Sequence, residues 1–525
     1  MTHAARGILL SAALAACARA GGQLAQPHVL RIADNVDPSS LNPLLAHDQN
    51  TIGYDLLFAQ TLVGLSEDNR LVPVLVTRVP SRANGDVSAD GRTITYHLRH
   101  GIRFADGVEL TSADVAFTFR AILDPRNPVE SEDAYRRVVS LRAPDRYTVV
   151  IRLRRRWNAA VAELFAQADF AFGILPAHAF GSTDVTVGSW DRLPFGTGPF
   201  KVVEWERANQ IVLEQNPYYR PTPRLKRIVL ALIPDAQSSL TALRSGGVDV
   251  AEISPSQIPD AGKAVAAHTV VTPLNGALFL MLQTAGAPTD ELHVRRAVAA
   301  ALDQREIVRG RYGALAAADS FLPPVFAWHD AAAATTRGDA ATVARELSAG
   351  GWRKSGGYWA KNGSSLSVTI ALAPELGTWS EVIEQEQLRR AGIEADLKPY
   401  STTLFNAPDG PLRSGRYTIA AAEWIGGADP EQSVILACSQ RGPNGNNSMN
   451  YCNPRFDALF EDQAVTADSM RRRADFVQMQ RIVRADAPLV PIAFLSNVDV
   501  IGNHVVGFRR NMLMYPVDPQ FWDVR

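Results

Sequence analysis

The sequence is poor in the residues that build metal centres and nucleic-acid surfaces. Of its 525 residues only three are cysteine and ten are histidine, and the formal net charge is −1. The histidines lack the spacing of zinc ligands, and the motifs H-E-x-x-H, G-x-S-x-G, S-x-x-K and C-x-x-C are absent. A net charge near zero provides no electrostatic attraction to nucleic acid or to an anionic membrane. The sequence therefore predicts no catalytic residues, no cofactor, no metal site and no nucleic-acid partner.

Apolar runs long enough to cross a membrane are missing as well. Residues Ile8–Ala16 are apolar and follow Arg6, which is typical of a short secretory signal and too short to span a bilayer. The letters LAAC that end at Cys17 resemble the lipobox of bacterial lipoproteins, whose cysteine is diacylated. The alternative is ordinary cleavage after the A-x-A site at 18–20. We expect residues 1–26 to be signal and spacer, and the mature protein to lie outside the cytoplasm, held to the membrane only by a lipid anchor.

The two remaining cysteines are an even pair in an oxidising compartment. Cys438 and Cys452 can be joined in a disulfide. Such a bond would close a loop of about 15 residues and contribute about 3 kcal/mol in the chain-entropy account. The alternatives are two unpaired thiols, or two zinc ligands without further partners. The composition favours the disulfide.

The segment Asp90–Phe119 has the strongest local pattern of the chain. Thr93–Arg99 alternates apolar and polar residues, which predicts a half-buried strand. The dipeptide Asp106-Gly107 predicts a tight turn. Thr111 stands three residues before Asp114, which predicts a capping box at the start of a helix.

The same segment resembles a signature of the family 5 extracellular solute-binding proteins, the dipeptide, oligopeptide and nickel receptors of ABC importers. The matching positions are Asp90-Gly91, Thr93, Tyr96, Leu98-Arg99, Gly101, Phe104, Asp106-Gly107, Thr111 and Asp114-Val115. Further runs that resemble the family are Gly196–Phe200, Asn216–Tyr219, Ala349–Trp352, Tyr451–Asp457 and Ala487–Ile492. The resemblance thus covers nearly the whole chain after its signal.

The resemblance implies an α/β protein with the type II periplasmic-binding-protein-like fold, in which three lobes surround a hinged cleft. A chain of this length exceeds a single hydrophobic core, which agrees with several domains. We expect a discontinuous domain I at 27–58, 194–272 and 496–525, domain II at 59–193 and domain III at 273–495. Closure of the lobes around a ligand is the motion that such a hinge allows.

The resemblance also implies the function. We expect a monomeric receptor for a solute, first of all a peptide, that closes on its ligand and delivers it to an ABC permease in the membrane. A non-peptide polar solute or a metal chelate on the same fold is the alternative within the family. An extracytoplasmic hydrolase is the alternative from another class of protein.

The ligand is expected at the segment Glu423–Pro430. In peptide-binding relatives the matching segment runs Trp-x-x-Asp, and that Asp pairs with the α-ammonium of the peptide. Here the position three residues after Trp424 is Gly427, and the segment is about one residue shorter. A buried ammonium without a carboxylate partner costs several kcal/mol, so free N-termini should bind poorly unless another acidic residue replaces the missing Asp.

The predicted ligand-binding set combines this segment with the turn after the first strand. Trp424 is expected to form an aromatic wall, and the glycine pair would let the backbone approach a ligand closely. The pair could equally be a turn, and the residues of the early turn could be a loop residue and a helix cap. The set is Trp424, Gly426, Gly427, Asp429, His47, Asp48 and Glu423.

Overall fold

The computed structural model describes the chain from residue 26 to residue 525, with short gaps. The described ranges are 26–46, 48–129, 132–168, 170–261, 266–311, 315–330, 338–373, 381–407, 409–431, 435–442 and 445–525. Cys17 and His47, both predicted to be functional, lie outside the described residues.

The described ranges contain runs of strands and runs of helices in mixed order. The strands are β1 (Val29–Asp34), β2 (Val63–Leu65), β3 (Leu71–Pro73), β4 (Thr93–His97), β5 (Val138–Asp145), β6 (Thr148–Leu153), β7 (Phe200–Glu206), β8 (Gln210–Gln215), β9 (Arg227–Leu232), β10 (Val250–Glu252), β11 (Ala267–Leu282), β12 (Arg353–Ser355), β13 (Tyr358–Lys361), β14 (Ser364–Ser365), β15 (Ser367–Leu372), β16 (Glu394–Pro399), β17 (Ile419–Ile425), β18 (Leu489–Gly502), β19 (Val505–Val506) and β20 (Asp523–Val524). The α-helices are α1 (Gln49–Phe58), α2 (Ser112–Ile122), α3 (Asp133–Arg136), α4 (Ala160–Glu163), α5 (Ala236–Arg244), α6 (Ile258–Ala261), α7 (Leu292–Ala301), α8 (Gln304–Arg311), α9 (Ala340–Ala349), α10 (Glu381–Arg390), α11 (Thr402–Asn406), α12 (Pro411–Ser414), α13 (Pro454–Val465) and α14 (Ser469–Asp486).

One mixed sheet of ten strands runs through the molecule in the order β16-β15-β17-β11-β18-β10-β1-β9-β8-β7. Strand β1 is parallel to β9 and β10, and β15 is parallel to β16 and β17. Parallel strands need a crossover connection, which α5 provides between β9 and β10 and α10 provides between β15 and β16. The strands in the middle of the sheet are antiparallel.

The two long strands β11 and β18 belong to both halves of this sheet. They pair antiparallel from Ala267 opposite Gly502 to Met281 opposite Leu489. At one end β18 also pairs with β10, and at the other end β11 also pairs with β17. The register shifts between Leu278 and Phe279 and is interrupted between Pro273 and Ala277, where the proline cannot donate a hydrogen bond to the ladder. This interruption is the position that we infer for the hinge.

Four of the hydrophobic clusters define three lobes, which we number I to III. Lobe I has a core around β1 and β7–β10 with the C-terminal strands. Lobe II packs α2 on the small sheet β4-β6-β5, with a core drawn almost entirely from residues 44–185. Lobe III has two clusters, on the two faces of the half-sheet formed by β11, β15, β17 and β18.

The segment with the strongest sequence pattern folds as predicted and forms part of the lobe II core. Ile94, Tyr96 and Leu98 are fully buried on one face of β4 and its extension. Thr111 and Asp114 form the predicted capping box at the start of α2, with the Thr111 amide donating to the Asp114 carboxylate at 2.8 Å. The prediction of a strand, a turn and a capped helix is confirmed.

Gly276 allows the interrupted part of β11 to lie against β17. A methyl group at Gly276 would lie 2.7 Å from the Trp424 carbonyl oxygen and 2.9 Å from Ile425 Cγ1. We therefore expect G276A to lower the free energy of unfolding by about 1–3 kcal/mol, the usual cost of overpacking. Calorimetric or denaturant unfolding measures the change. The control is G286A, whose added methyl group would meet nothing closer than 3.5 Å, and equal stability of the two variants would contradict the expectation.

Candidate functional site

The predicted ligand segment begins in the last three residues of β17 and continues into the loop that follows. Small apolar residues let β17 lie buried between its neighbours. At the end of the strand, Glu423 pairs with Leu278 of β11, Trp424 with Ala277 and Ile425 with Gly276. The strand ends at Ile425, where the glycine pair begins. The segment therefore leaves the sheet beside the interrupted register of β11.

Asn275 holds the glycine pair to the hinge strand. The Gly426 amide donates to the Asn275 carbonyl at 2.9 Å, and Asn275 Nδ2 donates to the Gly427 carbonyl. The Asn275 amide donates in turn to the Met512 carbonyl of lobe I at 3.0 Å. A fully buried asparagine thus joins the hinge, the ligand segment and the C-terminal part of the chain.

An apolar cluster lies where the three lobes meet, and we call it the junction cluster. It consists of Ala46, Ile52, Leu56, Leu65, Ala171, Met512, Leu513 and Tyr515, with Leu71, Phe170, Val325, Phe326, Ile425 and Ala428 packed against them. Two of these residues belong to the ligand segment. The segment therefore borders a surface to which all three lobes contribute.

Trp424 and Glu423 each have an unused polar group. Trp424 packs on the lobe III core, and its indole Nε1 is buried with no acceptor among the described residues. The Glu423 side chain is reached by water, but neighbouring protein atoms desolvate its carboxyl and raise its pKa. No hydrogen-bond or ion-pair partner of this carboxyl occurs within the described ranges. A carboxyl of this kind is well suited to meet a cation that displaces the water.

The other predicted acidic residues already have partners. Asp429 accepts from Arg472 Nη2 at 2.7 Å in a pair that is nearly buried on both sides. Asp48 is the N-cap of α1 and accepts from the amide and the hydroxyl of Thr51, both at 2.8 Å. These contacts make a direct role for either carboxylate in ligand binding costly.

The predicted disulfide is confirmed. Cys438 and Cys452 are joined with an S–S distance of 2.11 Å. Between them, Asn447 is fully buried and donates to the carbonyls of Ala437 at 3.0 Å and Tyr451 at 2.8 Å. This asparagine stabilises the loop itself, so its amide is not presented to a ligand.

An acidic group of lobe I was not anticipated from the sequence. Asp34 ends β1, Glu252 ends β10, and Asp499 lies opposite Glu252 in β18. All three surround Arg510, which is 2.9 Å from Glu252 and 3.7 Å from Asp499. Burial raises the pKa of Asp34 and of Asp499 to about 6 in each case, and Arg510 opposes the shift only in part. The ends of adjacent strands are a usual place for polar sites, but these residues are far apart in the sequence.

A cavity of about 650 Å³ lies elsewhere, between lobes I and II. Its walls include Arg99–Arg103, Tyr218–Arg220 and Pro516–Gln520, and none of the predicted ligand-binding residues. We favour the ligand segment as the candidate site, because it borders the hinge and carries the unpartnered Glu423 and Trp424 groups. The cavity instead lies between two lobes that are joined to each other. The Tyr515 hydroxyl of lobe I donates to the Ala168 carbonyl of lobe II at 3.0 Å.

The described ranges lack two further kinds of site. No group of three or more histidine, cysteine, aspartate or glutamate side chains is arranged there to hold a metal ion. No helix in those ranges is both long enough and apolar enough to cross a membrane.

The chain resembles known proteins over most of its length. A sequence profile described as "Bacterial extracellular solute-binding proteins, family 5 Middle" matches residues 70–446. Protein XP55 of Streptomyces lividans is 28% identical over 495 residues, which cover 91% of this chain and 85% of that protein.

Solved structures share the fold. The oligopeptide-binding protein AppA of Bacillus subtilis, in complex with a nonapeptide, has a TM-score of 0.79 at 21% identity and covers 95% of this chain and 99% of its own. NikA of Brucella suis, in complex with Fe(III)-EDTA, has a TM-score of 0.83 at 23% identity and covers 95% of this chain and 100% of its own. This likeness confirms the predicted α/β fold with lobes around a cleft.

The buried Asp499 predicts a pH-dependent stability. Its pKa is higher in the folded chain, at about 6, than its ordinary value of 3.8, so the folded state keeps the proton between these pH values. The contribution of Asp499 to the free energy of unfolding is therefore most favourable below about pH 4. It falls by at most about 3 kcal/mol as the pH rises to 6. We expect D499N, which stays neutral, to gain melting temperature relative to the wild type between pH 4.5 and 7.5.

The control for this comparison is D396N, which changes an exposed carboxylate paired with Arg389 on the surface. A difference between D499N and the wild type that is the same at every pH would contradict the role of Asp499.

Proposed function

The chain belongs to the bacterial extracellular solute-binding proteins of family 5, and from this premise we propose that it is a peptide receptor. It closes on its ligand and delivers it to an ABC permease, as members of this family do. The likeness to a protein solved with a bound nonapeptide supports a peptide as the ligand. No enzyme activity is part of the proposal.

The domain division is proposed as 27–58 with 194–272 and 496–525, then 59–193, then 273–495. The separate cores of the three lobes support it, because each is drawn mostly from one of these sets. The boundary at residue 273 coincides with the interruption in β11. Lobe III would move relative to lobes I and II about this point.

We propose that Glu423 binds the ammonium of the ligand. Its unpartnered carboxyl is the observation on which the peptide assignment rests. Gly427 stands where an Asp is expected, Asp429 is paired with Arg472, and Asp48 caps α1. Of the three acidic residues in the predicted set, only Glu423 has a carboxyl without a partner in the described part of the chain. The water that now reaches it would be replaced by the ammonium, which would also lower its pKa again.

Trp424 and the glycine pair are proposed to contact the rest of the peptide. The unused Trp424 Nε1 can donate to a ligand carbonyl, and an exposed strand end binds extended peptides through main-chain hydrogen bonds. Such binding tolerates many side chains. His47 stays in the proposed set, although it lies outside the described residues.

Anchoring by a lipid on Cys17 is proposed from the sequence alone. The family is extracellular, which fits the disulfide between Cys438 and Cys452. A monomer in solution is proposed as well, with the permease as the only protein partner.

Thermal unfolding in the presence of peptides tests the proposed function. The secreted protein with C17S is heated with di- to hexapeptides, half of them acetylated at the N-terminus, because a ligand of the folded state raises the melting temperature. We expect free-amine peptides to raise it and acetylated ones not to. If only acetylated peptides raise it, the ligand is a blocked peptide and Glu423 is not the ammonium partner. If no peptide does, the peptide assignment is wrong, and sugars and metal chelates are tested next.

The variant E423Q tests the ammonium partner directly. Loss of a charge-assisted hydrogen bond costs about 2–3 kcal/mol, so the Kd for a free-amine peptide should rise roughly 30- to 150-fold. Calorimetric titration measures it, with the acetylated peptide expected to bind neither the wild type nor E423Q. The wild-type affinity should also weaken as the pH falls through the raised pKa of Glu423, because the neutral carboxyl no longer attracts the ammonium.

D409N is the matched control, since Asp409 is an exposed acidic residue of the same lobe. Equal affinities of E423Q and D409N for free-amine peptides would rule out the role of Glu423.

A further inference from the structure

The loop that contains the ligand segment also contacts lobe II. Glu431, seven residues after Trp424, accepts a hydrogen bond from Trp157 Nε1 at 2.8 Å. Trp157 is buried in the core of lobe II. Arg137 of the same lobe lies over the Trp157 ring at 4.4 Å and approaches the Glu431 carboxylate to 3.7 Å. The loop is therefore held by a donor and a cation that both come from lobe II.

A second contact joins the same two lobes at the end of helix α13. The last carbonyls of a helix have no partner within the helix, and here Asn158 of lobe II supplies donors to them. Its side-chain Nδ2 donates to the carbonyls of Gln463 at 2.7 Å and Thr466 at 2.8 Å, and its amide donates to Ala464 at 2.8 Å. Ala464 itself is buried in the lobe II core.

Arg472 connects this helix end to the ligand segment. Its guanidinium donates to Asp429 at 2.7 Å and to Gln463 Oε1 at 3.1 Å. The Arg472 guanidinium also lies 5.0 Å from the ring of Trp328. The ligand loop is thus linked to lobe II twice, directly through Glu431 and indirectly through Asp429, Arg472 and the end of α13.

These contacts have the character of an interface that can separate. Apart from Ala464 and Val465, which pack on the lobe II core, they consist of hydrogen bonds and charged groups, which water can replace when two surfaces part. Arg155 and Glu461 form an exposed ion pair at the edge, at 2.7 Å. Movement of lobe III away from lobe II about the hinge in β11 and β18 would have to break these contacts.

We propose that Trp157, Asn158 and Glu431 form a latch that holds the lobes closed and positions the ligand segment without touching the ligand. Lobe II is then part of the closing mechanism. Its state is transmitted to Trp424 and Glu423 through Asp429 and Glu431 of one short loop. The ligand-dependent part of this inference rests on the proposed function, whereas the closure itself can be measured without a ligand.

Distances between lobes II and III test the latch in the ligand-free protein. Spin labels are attached to V139C and M470C, two exposed positions beside the contact, in the C17S chain, whose other cysteines are joined in the disulfide. We expect one short distance in the otherwise unchanged protein, and an additional longer distance in W157F and in N158A. W157F keeps an aromatic ring under Arg137 but removes the N–H donor. Unchanged distance distributions in both variants would overturn the proposal.

Two further variants separate a latch from a general loss of stability. E431Q keeps an acceptor for Trp157 and should keep the closed distance, whereas E431A should behave as W157F does. R155A removes only the exposed edge pair and should change nothing, because such pairs contribute little. If R155A opens the lobes as much as W157F, or if E431Q opens them as much as E431A, the specific contact is not the latch.

Binding of trialanine provides the second arm. We expect W157F and E431A to raise its Kd about tenfold, the equivalent of one hydrogen bond, mainly through faster dissociation. The double variant should be no weaker than either single one, because both remove the same bond. Additive losses would overturn the coupling. If trialanine does not bind the wild type, the proposed function fails at this point, and the distance measurements still decide the latch.

Discussion

The pairing of β11 with β18 is the contact on which the rest of the molecule depends. Because these strands extend from the lobe I half of the sheet into the lobe III half, the two lobes are joined by hydrogen-bonded backbone. Two flexible linkers would let lobes I and III move independently, and a continuous β-ladder would hold them in one relative orientation. The interruption at Pro273–Ala277 gives an intermediate stiffness, and Asn275 uses the freed backbone positions to hold the ligand segment and the C-terminal part of the chain. Hinge and ligand segment are therefore one structural unit.

The charges near this unit divide by whether they are already paired. Asp429 with Arg472 is a nearly buried pair, and Arg510 is buried beside a partly exposed Glu252; separating either pair would leave an uncompensated charge. Such groups determine how the loops are held. Glu423 differs, because neighbouring protein atoms disfavour its charge although water reaches the side chain, and no partner in the described chain compensates for it. An incomplete electrostatic environment is what a cationic ligand can complete.

The sequence predicted the local structure well and the site only in part. The alternation in β4, the capping box of Thr111 and the cysteine pair are set by neighbours in the sequence or by counting, so they could be predicted and are confirmed. Which acidic residue is available could not be predicted, because it depends on distant partners. Asp429 is paired with a residue in α14, and Trp157 meets Glu431 across 274 positions. The acidic group around Arg510 likewise assembles only when β1, β10 and β18 are adjacent.

The junction cluster has a thermodynamic consequence. Its apolar side chains come from all three lobes, so an opening that moves lobe III away would expose part of this surface to water, and closing would bury it again. Burial of apolar surface lowers the heat capacity. Closing should therefore release more heat at higher temperature, and the enthalpy of ligand capture would become steadily more favourable on warming even for a ligand that is itself entirely polar. The receptor, and not only the molecule that it binds, would then set the calorimetric signature of binding.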